Sequence, residues 1–179
     1  MDYNVFFQKL DGLLADKKMD EAEQFLIDNM KKAVELEDTQ ALLTVMSELV
    51  GLYRVTGRHE ESTMLADRAM AIAQGAGLNG QNYATIVLNA ATAYRAAGNY
   101  ERAKELYEQT AGELKESGCK DAYRYASLYN NIFSAPDVQK REVYIGCRLL
   151  DLTVGKLPYY LECLKKLSLC TLIGACLRI

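Results

Sequence analysis

Residues 89–111 read NAATAYRAAGNYERAKELYEQTA, and the fold turns on this stretch. Two segments with helical periodicity meet at Gly98. Tyr94 lies on the first; Tyr100, Ala103, Tyr107 and Ala111 follow on the second at spacings of 3, 4 and 4, which puts them on one face of a helix. Ala103 is small where a large side chain would hold two helices apart, and Tyr94 and Tyr107 are large enough to fill the space beside it. With a tight turn at Gly98, the stretch reads as a helical hairpin packed at close range.

The pattern recurs along the chain. Tyr53, Gly57, His59, Ser62 and Ala66 stand 41 residues before Tyr94, Gly98, Tyr100, Ala103 and Tyr107, with Ala69 set against Ala111. Leu13, Lys17, Met19, Ala22 and Leu26 make a fainter copy displaced by a further 40. Later, Tyr125-Ala126-Ser127 and Asn131 repeat Tyr83-Ala84-Thr85 and Asn89 at an offset of 42. Self-similarity at one period of this size marks a stacked repeat array.

Val87, Ala90, Ala91, Tyr94, Gly98, Tyr100, Ala103, Tyr107 and Ala111 resemble the signature of the tetratricopeptide repeat, best over residues 84–117. Val87 stands where that family usually has Trp, and Glu116 where the repeat often ends in Pro. The period near 41 exceeds the family's usual period of about 34. It is similar to the longer repeats of the kinesin light chain type, in which Asn recurs in the first helix. The resemblance runs from residue 3 to about residue 133 and implies an all-α fold, a right-handed α-solenoid of stacked antiparallel helical hairpins. The expected hairpins are 3–36, 39–74 and 81–117, with half of a fourth over 121–134.

Composition agrees with an all-helical reading. Half of the 179 residues are hydrophobic, a quarter are charged, and only two are proline. Net charge is −3, which gives no nucleic-acid footprint. The sum hides an asymmetry: residues 1–133 hold 14 basic and 20 acidic groups, and residues 134–179 hold 7 and 4. MDYNVFFQKL lacks the basic and apolar runs of a signal peptide, and the apolar tract Leu167–Leu177 is too short to span a bilayer. A cytoplasmic protein with no membrane partner is expected. The five cysteines, Cys119, Cys147, Cys163, Cys170 and Cys176, show no C-x-x-C spacing and read as free thiols.

Local signals fill in the first three hairpins. Asp16-Lys17-Lys18 makes the first turn, Asp20 reads as an N-cap with Glu23 three residues on, and Thr39 reads as the cap of the next helix. The sole histidine, His59, takes the place of Tyr100 and reads as a packing residue. GAGLNG over 75–80 breaks a helix; no strand precedes it and no Lys-Ser/Thr follows, so it is not a phosphate loop. Pro136 falls where the third repeat has Tyr94 and ends the pattern. Residues 135–179 are read as a divergent tail, either helices that cap the array or a segment translated in an altered frame.

No pairing of nucleophile and base, no apolar carboxylate pair and no metal-ligand cluster occurs, so no enzyme activity, cofactor or metal is expected. Function then lies on the surface. In arrays of this kind the first helix of each hairpin lines a concave groove. The groove positions are Thr44, Ser47, Glu48, Gly51 and Arg54 in the second repeat; Thr85, Leu88, Asn89, Thr92 and Arg95 in the third; and Ser127, Asn130 and Asn131 in the fourth. The amides of Asn89 and Asn131, 42 apart, can pair with a peptide backbone, or with neighbouring helices. Arg54 and Arg95, 41 apart, can hold carboxylates, or pair with Glu. Ser47 and Leu88 stand where the family's carboxylate-clamp version has Lys, which argues against a clamp-type ligand. The reading is a non-catalytic module that binds a protein or peptide partner. Its alternatives are a self-associating scaffold, dimerising through the apolar tail 159–177, and a regulatory fragment of a larger protein.

Overall fold

Each helix C-terminus must satisfy its last carbonyls before the chain can turn back, and one device does this throughout. Leu13 O accepts from Lys18 N, Ala33 O from Asp38 N, Tyr53 O from Arg58 N, Ala73 O from Leu78 N, Tyr94 O from Asn99 N and Leu114 O from Cys119 N, all at 2.8–3.0 Å. The residue before each donor holds a left-handed φ: Lys17, Glu37, Gly57, Gly77, Gly98 and Gly118. This is the Schellman closure. In the computed structural model, which describes residues 1–120 and Leu128, it ends α1 (Tyr3–Ala15), α2 (Met19–Glu35), α3 (Thr39–Val55), α4 (His59–Gly75), α5 (Gly80–Ala96) and α6 (Tyr100–Glu116). There is no strand among the described residues.

Consecutive helices pack as hairpins, and each hairpin packs on the next: α1 on α2, α2 on α3, α3 on α4, α4 on α5 and α5 on α6. The architecture is an all-α solenoid. These helices belong to one compact unit, Met1–Cys119, and Lys120–Ile179 form a second unit that lies almost wholly outside the described residues. The fourth repeat over 121–134, the end of the array at 133, and the tail 135–179 with its two accounts all fall there.

Small buried residues recur at the equivalent position of each second helix. Ala22, Ser62 and Ala103, equivalent in the three repeats, are 0%, 0% and 2% exposed. Ser62 is polar, and its hydroxyl is satisfied by donating to the Val50 carbonyl of the paired helix at 2.9 Å. The seam between the first two repeats is apolar: Phe6 and Leu10 of α1, Ala22 and Leu26 of α2, and Val45, Leu49 and Leu52 of α3 form one buried cluster.

Three local expectations need correction. The counterpart of Ala69 is Thr110, 41 residues on, not Ala111: Thr110 is 1% exposed and closes its hydroxyl on the Leu106 carbonyl, whereas Ala111 is half-buried. Thr39 does not cap α3; Asp38 does, its carboxylate accepting from Ala41 N at 2.9 Å. Asp20 lies inside the first turn of α2, whose cap position is Lys18 without a side-chain bond. Asp20 and Glu21 act there through the helix dipole instead.

Candidate protein-binding groove

One face of α3 follows from helical spacing. Thr44, Ser47, Glu48, Gly51 and Arg54 recur along α3 at intervals of three and four, so they form one stripe. All five are half-buried, as residues flanking a packed seam should be. On α5 the stripe continues with exposed Thr85 and half-buried Leu88, Asn89 and Arg95. The two stripes adjoin because α3 packs directly against α5, in addition to the hairpin contacts. Two first helices thus lie side by side.

Thr92 has a different place. It is 8% exposed, its hydroxyl donates to the Asn89 carbonyl at 2.8 Å, and it accepts from Arg54 Nη1 at 2.7 Å. That bond ties the last turn of α3 to α5 and carries the Arg54 guanidinium to within one helical turn of Arg95. The spacing rule that put Thr92 on the groove could not show its hydroxyl already engaged.

Arg95 meets Tyr107, a residue sequence reasoning placed in the packing set. Tyr107 is 2% exposed, and its hydroxyl is buried beside Arg95. Burial raises the ionisation of Tyr107 above the usual phenol value, and Arg95, by its charge and by a side-chain hydrogen bond, offsets part of the rise together with the charge of Arg54. Among the described residues neither Arg54 nor Arg95 has an acidic partner.

Toward α1 the sign of the charge reverses. Glu48 lies six residues before Arg54 on α3, about 9 Å along the axis. Its carboxyl is held above the usual range, first by burial and then by the negative charge of Asp11 on α1. No described cation pairs with either carboxylate. The described face thus runs from acidic at Asp11 and Glu48 to basic at Arg54 and Arg95. Asn130, Asn131 and Ser127 lie outside the described residues.

Other expectations can be placed as well. No cluster of three potential metal ligands occurs among the described residues. No described helix is long and apolar enough to cross a membrane. Cys119 is a free, buried thiol, and His59 is half-buried with Nδ1 unpaired.

Residues 41–111 match the tetratricopeptide repeat family. Among solved structures the chain is similar to BtubC (BKLC) from P. vanneervenii, with 24% sequence identity and a TM-score of 0.69, over 93% of this chain and 73% of that one. At that identity the likeness is one of fold. Comparison with curated proteins gives no match.

Proposed function

We propose, from the premise that residues 41–111 are tetratricopeptide repeats, that the α3–α5 face holds a segment of a protein partner and that the chain works in the cytoplasm as a non-catalytic interaction module. The family implies a protein–protein interaction or scaffold role, and its members are generally non-catalytic. One observation carries the finer reading: α3 and α5 lie side by side with half-buried polar and small residues along both, the kind of surface on which an extended chain can find donors and acceptors without displacing a packed core. Asn89 supplies an amide there, and Leu88 an apolar contact.

The test is affinity capture from native lysate with the full chain and with a Leu88→Glu/Asn89→Ala variant. The wild-type chain is expected to retain a partner that the variant loses, at unchanged helical circular dichroism. Equal recovery by both chains removes the groove reading.

A further inference from the structure

Asn79 and Gly80 open α5, and they are the chain's one Asn-Gly pair. The fold fixes Gly80 twice. Its φ is +58°, and a Cβ there would stand 3.1 Å from the Cβ of Ser117 at the end of α6. Asn79 has no comparable use. It stands at the N-cap of α5, where Asn is favoured because its side chain can accept from the first N–H groups of the helix. Asn99 does this for α6, accepting from Arg102 N at 3.2 Å. Asn79 makes no capping bond, is exposed, and has an extended backbone at φ −144° and ψ 177°. The Gly80 N–H is taken instead by Glu113, 33 residues on, whose Oε2 accepts it at 3.2 Å. An N–H in the first turn has no partner within its own helix, and this one meets a carboxylate.

A five-membered ring can join the Asn79 side-chain carbon to the Gly80 nitrogen, and a glycine leaves that nitrogen unscreened. An amide nitrogen becomes a nucleophile only when a base removes its proton, and Glu113 already holds that proton. We infer that Asn79 is a self-modification site and that Glu113 is its base. The Gly80 nitrogen attacks Cγ of Asn79 as its proton passes to Glu113 Oε2. The N–Cγ bond forms, the Cγ–Nδ2 bond breaks, and the amide leaves as ammonia, which takes the proton back and restores the carboxylate. Water then opens the cyclic imide. Cleavage at Cγ leaves an aspartate at position 79; cleavage at the backbone carbonyl leaves an isoaspartate, with the side-chain methylene now in the main chain. The net change is amide plus water to acid plus ammonia. Both products alter the joint between the second and third hairpins. A new carboxylate appears beside Glu113 and is repelled by it, and in the isoaspartate form the chain entering α5 is longer by a methylene. α5 packs on α3, α4 and α6, so its entry sets how the third hairpin fits on the second.

The full chain, its Glu113→Gln and Asn79→Ser variants, and a synthetic peptide of residues 74–85 are held in neutral buffer. The amide-to-acid mass gain at position 79 is followed by peptide mapping, and isoaspartate is read with an isoaspartyl methyltransferase. The folded chain is expected to react faster than the peptide, which lacks Glu113. Gln at 113 can still accept from Gly80 N but cannot take the proton. Glu113→Gln is therefore expected to slow the reaction about tenfold, less than the roughly hundredfold of a base set in an enzyme site, because the bond of 3.2 Å is long. Asn79→Ser should give no isoaspartate, and Asn82 and Asn89 should stay amides. The acid form, separated by ion exchange, should unfold at a lower urea concentration than its parent. No acid at position 79 would overturn the site. A folded chain no faster than the peptide, or a Glu113→Gln chain as fast as wild type, would overturn Glu113 as the base; the peptide comparison reads this even where the variant folds poorly. Equal urea midpoints for the two forms would overturn the effect on the joint.

Discussion

Lys17 and Glu37 hold φ at 59° and 52°, in the left-handed region that glycine occupies after the other four helices. A side chain there costs roughly 1–2 kcal/mol of backbone strain. Lys17→Gly should therefore stabilise the protein, by up to about 1 kcal/mol once the added freedom of the unfolded chain is set against it. Gly98→Ala, at φ 79°, should destabilise it by about 1–2 kcal/mol. Urea midpoints of the two variants, moving in opposite directions, check both. Glu48 gives a pH dependence. Its folded carboxyl is raised above the unfolded value, so the folded state binds more protons in between, and stability is lost as pH rises through that window. Glu48→Gln should then be more stable than wild type at pH 7, by no more than about 1 kcal/mol after solvent screening, and the gap should close below the ordinary carboxylate range. Urea titrations at pH 4 and pH 7 read the difference; an equal gap at both would refute it.

At the scale of the helix pair, one latch occurs twice. Tyr53 on α3 donates to Glu23 on α2 at 3.0 Å, and Tyr94 on α5 donates to Asp67 on α4 at 2.6 Å. In each case a first helix is pinned to the second helix of the preceding hairpin. The first latch is reinforced by Arg58, which reaches Glu23 at 2.6 Å and lies 4.2 Å over the Tyr53 ring. Tyr53→Phe should cost about 1 kcal/mol. A double-mutant cycle with Glu23→Gln should recover a coupling of at least about 0.5 kcal/mol; additivity would show the bond to be idle. Packing between paired helices sets a second limit. Ala103→Leu adds volume at a position 2% exposed and should lower stability by about 1–3 kcal/mol, where the same change at exposed Ala97 should do little.

Across the array, each helix draws stability from its neighbours, so stability should vary with position. α3 packs against α2, α4 and α5, whereas the main packing of α1 is with α2. Amide hydrogen exchange should be fastest in α1 and slowest through α3 and α5. Uniform protection over the six helices would mean that the array opens as one cooperative block. The same layering explains why the α3–α5 face can keep polar groups half-buried: the apolar seams on either side hold the two helices in place whatever lies on the stripe.

The spacing of large and small residues determined the hairpins by itself, because a helix face is a matter of sequence interval and close packing admits only small side chains at the crossing. Ala22, Ser62 and Ala103 could be read that way, and so could the turns at Gly57, Gly98 and Gly118. Helix starts were less legible: a cap depends on which of two adjacent polar residues turns toward the free N–H groups, and Asp38 rather than Thr39 does so. The polar stripe on α3 and α5 was legible as a set of positions on one helix face, not as a set of available groups. Only the packing of α3 against α5 decided that Thr92 is engaged by Arg54, and only that of α5 against α6 that Tyr107 is buried beside Arg95. The latches were hidden for a related reason. Tyr53 and Tyr94 obey the period of 41, but their partners Glu23 and Asp67 lie 44 apart, and so do Arg58 and Arg102. Residues that share a helix face are fixed by the interval between them; residues that meet across helices are fixed by how far one helix slides along the next, and that offset exists only in the folded chain.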